Sequence, residues 1–195
     1  MKKLSYMFMI ALAAYALQGC NHASKDAQQS ADSLNKTKDT TTNAAATGGI
    51  AVNSDDAKFA TNAAEGGMAE VALAKLALQK TTNEKIKNFA NMMVTDHSNA
   101  NDTLMAIAKT KNITLPTAVS ADDQKSADSL SNKSGKAFDK AYVAAMIDGH
   151  KQALKLFQDE AKNGTDPALK AFAAKVAPTV QMHLDAINKI HDSWK

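Results

Sequence analysis

The sequence predicts an all-α protein whose folded part is a four-helix bundle. From Ser54 onward, large apolar residues recur at spacings of three and four, and no stretch alternates apolar with polar residues. Capping residues and helix breaks divide this part into four long segments. Of the 195 residues, 45% are hydrophobic, which is enough to build a core. An apolar stripe on each segment would then face that core.

The four helices are predicted from their termini in chain order. Their expected bounds are 55–80, 83–111, 136–163, and 166 to nearly 195. Gly164 is typical of the position after a helix, and Asp166 followed by Pro167 is typical of a helix start. The connections within the first and second pairs of helices are short, so each pair should form an antiparallel hairpin. The hairpins are joined by residues 112–135, with a short helix expected near 122–130. This connection either crosses the bundle, as in ferritin-like folds, or is a slack loop.

The first 20 residues predict export from the cytoplasm. Lys2 and Lys3 precede an apolar run over 4–17, which is shorter than the roughly 20 residues that span a bilayer. The run ends in Leu17-Gln18-Gly19-Cys20, which resembles the lipobox of bacterial lipoproteins. The resemblance implies that residues 1–19 are a signal peptide and that Cys20 is acylated, with palmitate for example. The alternatives are an ordinary secretory signal and an uncleaved anchor.

Residues 20–53 are predicted to be a lipidated Cys20 followed by a disordered tether. The segment is rich in small polar residues, and from residue 21 it has no aromatic side chain. Such a composition buries too little apolar surface to offset the entropy of ordering. The tether would hold the bundle domain, residues 54–195, away from a membrane. We expect a location in the cell envelope, at the outer membrane facing the periplasm or the surface.

Charge and cysteine content exclude several classes of protein. The net charge is only +3, and all 23 basic residues are lysine. Without arginine the chain lacks the usual reader of guanine, which argues against a nucleic-acid partner. The single cysteine excludes a disulfide within the chain. The expected partners are the membrane, through the lipid anchor, and an envelope protein; the oligomeric state is left open.

One polar residue interrupts the apolar stripe of each long helix. Glu70, His97, His150 and His183 all lie on core-facing positions near the middle of their helices. Buried polar groups are costly unless they pair with one another or bind a metal. The four residues therefore predict a metal site, with a metal-free polar cluster that fixes helix register as the main alternative.

The ligand types indicate which metal this site would hold. Nitrogen-rich ligation suits zinc, copper, iron or nickel and poorly suits calcium or magnesium. Asp96, Asp148 and Tyr142 are candidates for hydrogen bonds that orient the ligands. No organic cofactor is expected and no catalytic residue is assigned. A metal-free structural or interaction module of the outer membrane is the second hypothesis, and a metal-dependent oxidase is the third.

Most of the region after Ser54 resembles the bacterial family called domain of unknown function 4142. The matching segments are 59–70, 93–97, 138–142, 150–157 and 178–184. The resemblance implies a ferritin-like helical bundle in the bacterial envelope and supplies no established reaction. Ferritin-like di-iron sites carry Glu-x-x-His on two helices, whereas Val94 and Val180 stand three residues before His97 and His183. A mononuclear, histidine-rich site, or none, is expected instead.

Overall fold

The computed structural model describes residues 26–38 and 52–194, and every regular element in these ranges is an α-helix. The helices are α1 (Ala27–Lys38), α2 (Ser54–Lys80), α3 (Glu84–Thr110), α4 (Ala121–Ser131), α5 (Gly135–Asn163) and α6 (Pro167–Asp192). The prediction of an all-α fold is confirmed. The predicted signal peptide and Cys20 lie outside the described residues. Within the described ranges, no helix combines the length and apolar character that crossing a bilayer requires.

Side-chain caps explain where the long helices begin. The side chains of Asn53, Asn83 and Asp166 each accept hydrogen bonds from two backbone N–H groups at the start of α2, α3 and α6. These N–H groups have no partner inside the helix, so the caps stabilise its first turn. The cap of α2 is one residue earlier than Ser54, the first residue of the predicted domain, because Asn53 supplies the accepting oxygen.

The four long helices pack as two antiparallel hairpins, α2–α3 and α5–α6, called the first and second hairpin below. Helix α2 packs on α5, and α3 packs on α6. The start of α2 meets the α5–α6 turn, where Asp56 accepts a hydrogen bond from the backbone N–H of Thr165. The end of α2 meets the start of α5, where the Thr81 hydroxyl donates to Asp139. Helices α2 and α5 are therefore antiparallel.

The connection between the hairpins crosses the length of the molecule. Helix α3 ends beside the start of α6, where Lys111 pairs with Asp166, whereas α5 starts at the opposite end. The chain must travel about 40 Å, the length of a 27-residue helix, to reach α5. Helix α4 lies on this path and contacts α2 and α5. Of the two alternatives left open by the sequence, the crossing connection is the one observed.

Two apolar clusters fill the space between the hairpins. One cluster, called the lower cluster below, surrounds the rings of Phe59, Phe157 and Phe172. These rings meet edge to face or at a tilt. The upper cluster includes Phe138 and Tyr142, which are stacked and fully buried. Between the two clusters, all four long helices contribute a buried Glu or His, which places a polar layer at mid-height.

Helix α1 lies inside the segment that the sequence predicted to be disordered, and that prediction is wrong for residues 27–38. The helix packs on α2, where the Thr61 hydroxyl donates to Asp32 at 2.5 Å. The side-chain amide of Asn35 both donates to the carbonyl of Thr114 and accepts from its N–H. Buried Ala31 completes the contact. Small and polar contacts hold α1 in place, so a criterion based on large apolar residues misses it.

Carboxylates gather at the α5–α6 turn. Asp56 accepts hydrogen bonds from the backbone N–H and hydroxyl of Thr165 and from the N–H of Asp166. Glu160 is only 7% exposed, and its Oε1 has no hydrogen-bond partner among the described residues. Burial, followed by the charges of Asp56 and Asp166, raises the pKa of Glu160 to about 7, while Lys170 lowers it slightly.

We expect Glu160→Gln to raise the free energy of unfolding at pH 8 by about 2 kcal/mol and to change it much less at pH 5. The pKa of Glu160 is raised from 4.5 to about 7 by folding, so stability falls as the pH rises between these values and stays lower above pH 7. Urea unfolding at both pH values measures the difference. The exposed Glu84, as Glu84→Gln, is the matched control. An equal gain from Glu160→Gln at pH 5 and pH 8 would contradict the ionisation argument.

Candidate metal centre

The four residues predicted at mid-bundle do meet in the structure. Glu70 comes from α2, His97 from α3, His150 from α5 and His183 from α6. All four are buried, and His150 and His183 are completely so. Each residue occupies the apolar face of its helix, so packing of the two hairpins brings the four side chains to one level.

One nitrogen of each imidazole faces a hydrogen-bond acceptor; we call these the outer nitrogens. His97 Nδ1 lies 3.0 Å from Glu70 Oε2, and His183 Nε2 lies 2.9 Å from Asp96 Oδ2. His150 Nδ1 lies 2.8 Å from the carbonyl oxygen of Met146 and 3.3 Å from Glu70 Oε1. Carboxylates and carbonyls only accept hydrogen bonds, so in a neutral imidazole each outer nitrogen carries the proton.

The remaining nitrogens, called the inner nitrogens, are His97 Nε2, His150 Nε2 and His183 Nδ1. With the outer nitrogens protonated, each inner nitrogen presents a lone pair. His97 Nε2 and His183 Nδ1 are only 3.3 Å apart. His150 Nε2 is buried and has no hydrogen-bond partner among the described residues. The three histidines each offer a ligand atom, and these atoms lie within 4.8 Å of one another.

These separations suit a tetrahedral metal ion. Metal–nitrogen bonds of about 2.0–2.1 Å place two nitrogens of a tetrahedral site about 3.3 Å apart. The observed 3.3 Å between the inner nitrogens of His97 and His183 equals this separation. The pair formed by His97 and His183 therefore already has the spacing of two ligands, and the ligand atom of His150 lies within 4.8 Å of both.

The pKa shifts in the layer favour the neutral forms of His150 and His183 and the ionised form of Glu70. Burial lowers the pKa of His150 and of His183, and this outweighs the opposing effects of Glu70 and Asp96. Burial alone would raise the pKa of Glu70, but the hydrogen bond from His97 and the other imidazoles lower it overall. A cation bound by the histidines would lie close to the negative charge of Glu70.

The structure assigns different positions to the predicted supporting residues. Asp96 contacts His183, as a residue that orients a ligand should. Asp148 is exposed at the edge of a neighbouring cleft. Tyr142 is buried, its hydroxyl has no hydrogen-bond partner among the described residues, and burial with the nearby Glu70 charge raises its pKa. Glu70 was predicted as a ligand but lies against outer nitrogens, in the position of a supporting acceptor.

Two features of the layer were missed from the sequence. The carbonyl of Met146 accepts from His150, a bond to the residue four positions earlier that any helical histidine can form in one rotamer. Gly149 faces the Glu70 carboxylate, where an added Cβ would stand 3.5 Å from Oε1. A separation of 3.5 Å is an ordinary van der Waals contact, so Gly149 marks where α5 packs against Glu70 without a glycine being required there. In both cases, the position relative to His150 along the chain was the signal available in the sequence.

Comparison with known families agrees with the resemblance noted above. The family model described as Domain of unknown function (DUF4142) matches residues 39–190. The chain belongs to the DUF4142 family. No curated protein matches this DUF4142 member. The crystal structure of a DUF305 fragment from Deinococcus radiodurans has a TM-score of 0.64 and 11% sequence identity, covering 71% of this chain and 96% of that chain. At this identity the likeness concerns the fold alone.

Proposed function

We propose that this DUF4142 protein binds one divalent transition-metal ion, zinc or copper, through His97, His150 and His183. The observation that carries the proposal is the convergence of three buried histidines: His150 Nε2 has no hydrogen-bond partner among the described residues, and His97 Nε2 lies 3.3 Å from His183 Nδ1. Buried polar atoms of this kind are costly when unpaired, and a cation removes the cost. Three imidazoles suit zinc or copper, whereas non-haem iron sites usually add a carboxylate ligand.

Glu70 and Asp96 have a supporting role in this proposal. Histidines that bind metals commonly donate their second N–H to a carboxylate or a carbonyl, which fixes the ring and makes the ligand nitrogen more basic. Glu70 does this for His97, and Asp96 does it for His183. The metal ion would then be bound by neutral histidines. The carboxylates that accept hydrogen bonds from these histidines would compensate its positive charge.

We further propose a ferritin-like bundle attached to the envelope by a lipid. A single long crossover between two hairpins is the connectivity of ferritin-like folds, and residues 112–134 supply one here. The lipobox-like end at Cys20 supports a lipid anchor, in keeping with an outer-membrane location. The role at that membrane would be to bind or sense metal, without a commitment to turnover.

Zinc binding by the full chain tests the proposal. We expect the protein, purified in detergent without a histidine tag, to bind one zinc per chain in isothermal titration calorimetry. At zinc a hundredfold above Kd, the folded state gains about 2.7 kcal/mol, or a rise in Tm of roughly 5–10 °C. Absence of bound zinc and copper, with melting unchanged by either metal, would overturn the proposal. That result would favour the metal-free interaction module, whose envelope partner a pull-down would then seek.

A further inference from the structure

A cleft of about 830 Å³ reaches the polar layer from the side. All four long helices line it, and at the layer it is bordered by Glu70, His97 and His183. His150 is not part of its wall and is fully buried. Two of the three proposed ligands therefore border the cleft, while the third is fully buried.

Small residues keep the cleft open beside the layer. Gly66, Ala100 and Gly149 form part of its wall near the histidines. A Cβ added at Gly66 would meet no atom within 4 Å, so the space beside this residue is free. Three protein ligands leave one position of a four-coordinate ion for an outside ligand, as in catalytic zinc sites. The apolar clusters close the layer above and below, so the cleft is the route to that position.

The charge of the cleft limits what can occupy this position. Besides Glu70 and Asp96, its wall carries Glu65, Asp123 and Asp148, and Lys175 is the one lysine among its lining residues. An excess of carboxylates raises the local concentration of cations and lowers that of anions. An uncharged donor is therefore favoured over an anion of similar size.

We infer that the bound metal ion takes a small uncharged nitrogen or oxygen donor from the cleft as its fourth ligand. The inference rests on the proposed function, since it needs an ion on the three histidines. It goes beyond that function because it makes the centre an open, ligand-binding site rather than a closed structural one. Gly66 lines the cleft with free space beside it, so a larger side chain at residue 66 would fill part of the cleft.

Cobalt(II) provides the probe, because its visible absorption bands change with its ligands. We expect the full chain loaded with cobalt to show a saturable band shift when titrated with imidazole at pH 8. Gly66→Leu should keep its cobalt and raise the apparent Kd for imidazole at least tenfold. Ala72→Leu, an exposed position of α2 outside the cleft, should change neither value.

Azide supplies the charge test. We expect Asp148→Asn to tighten azide binding about threefold and to leave imidazole binding unchanged, because only the anion is repelled by the carboxylate. Equal effects on the two ligands would contradict the charge argument. Cobalt content is measured after each titration so that loss of the ion is not mistaken for ligand binding.

The outcomes separate the two proposals. A chain that binds no cobalt, zinc or copper would overturn the proposed function itself. A chain that retains cobalt but shows no band shift with imidazole or azide would overturn the open position and leave metal binding intact. The wild-type titration decides this point even if Gly66→Leu does not fold. Equal imidazole binding by Gly66→Leu and Ala72→Leu would exclude the cleft as the route.

Discussion

Replacing His150 by alanine is expected to weaken zinc binding by at least a factor of about 100. Loss of a group that merely supports a ligand typically costs 10- to 100-fold in metal affinity, and His150 is proposed as a ligand itself. Its inner nitrogen is buried and has no other partner, so no other residue in the described part of the chain replaces it. Competition with a chromophoric chelator measures the affinity.

A matched control and a graded variant make this result specific. His191 is exposed and its ring contacts only the neighbouring Asp192 among the ion pairs of the described residues, so His191→Ala should bind zinc as the wild type does. Asp96→Asn keeps all three ligands and weakens only the support of His183, so it should lose about tenfold. Equal zinc affinity in the His150→Ala and His191→Ala proteins would exclude the proposed ligand set.

Phe59→Ala is expected to lower the free energy of unfolding by about 4 kcal/mol. Phe59 is 3% exposed, and its ring lies 5.4 Å from that of Phe157 and 6.4 Å from that of Phe172. Removing the ring loses its transfer from water, leaves a cavity and breaks both aromatic contacts. Urea unfolding of the chain in EDTA measures the change without any contribution from bound metal.

Met105 provides the comparison for this substitution. Its side chain is 58% exposed on α3, so Met105→Ala should change stability by less than about 0.5 kcal/mol. Phe59 is neither a proposed ligand nor a residue that supports one, so folded Phe59→Ala protein should still bind zinc with near wild-type affinity. A loss below 1 kcal/mol for Phe59→Ala would mean that the lower cluster is not tightly packed.

Helix bounds and the level of the polar layer were predictable because they depend on local rules. Asp166 marks the start of α6 by accepting hydrogen bonds from two backbone N–H groups, Gly164 follows the last residue of α5, and the predicted bounds at these two points agree within one residue. The spacing of His97 and His183 from their apolar neighbours fixes their faces, since the helix has a constant rise and rotation. The roles within the layer were not predictable, because which nitrogen of His97 meets Glu70 depends on side-chain rotamers.

The parts that the sequence missed depend on contacts between distant residues. Helix α1 is held by contacts such as the hydrogen bonds between Asn35 and Thr114. No local sequence pattern predicts contacts between residues so far apart in the chain. The path of residues 112–134 is set by which ends of α3 and α5 come together, and a loop of that length permits both alternatives. The spacing of apolar residues predicts each helix by itself. The position of α1 and the path of the connection depend on how the helices pack against one another.

The polar layer draws its members from both hairpins, and this has a consequence for how the protein matures. The first hairpin carries His97, and the second carries His150 and His183. A chain with both hairpins formed but still apart offers an ion two histidines at most, so full affinity arises only when the hairpins dock. A fully occupied metal site would then indicate that the two hairpins have docked, and not merely that the helices have formed. In the proposed function, the ion would therefore be held by all three histidines only after the two hairpins have docked.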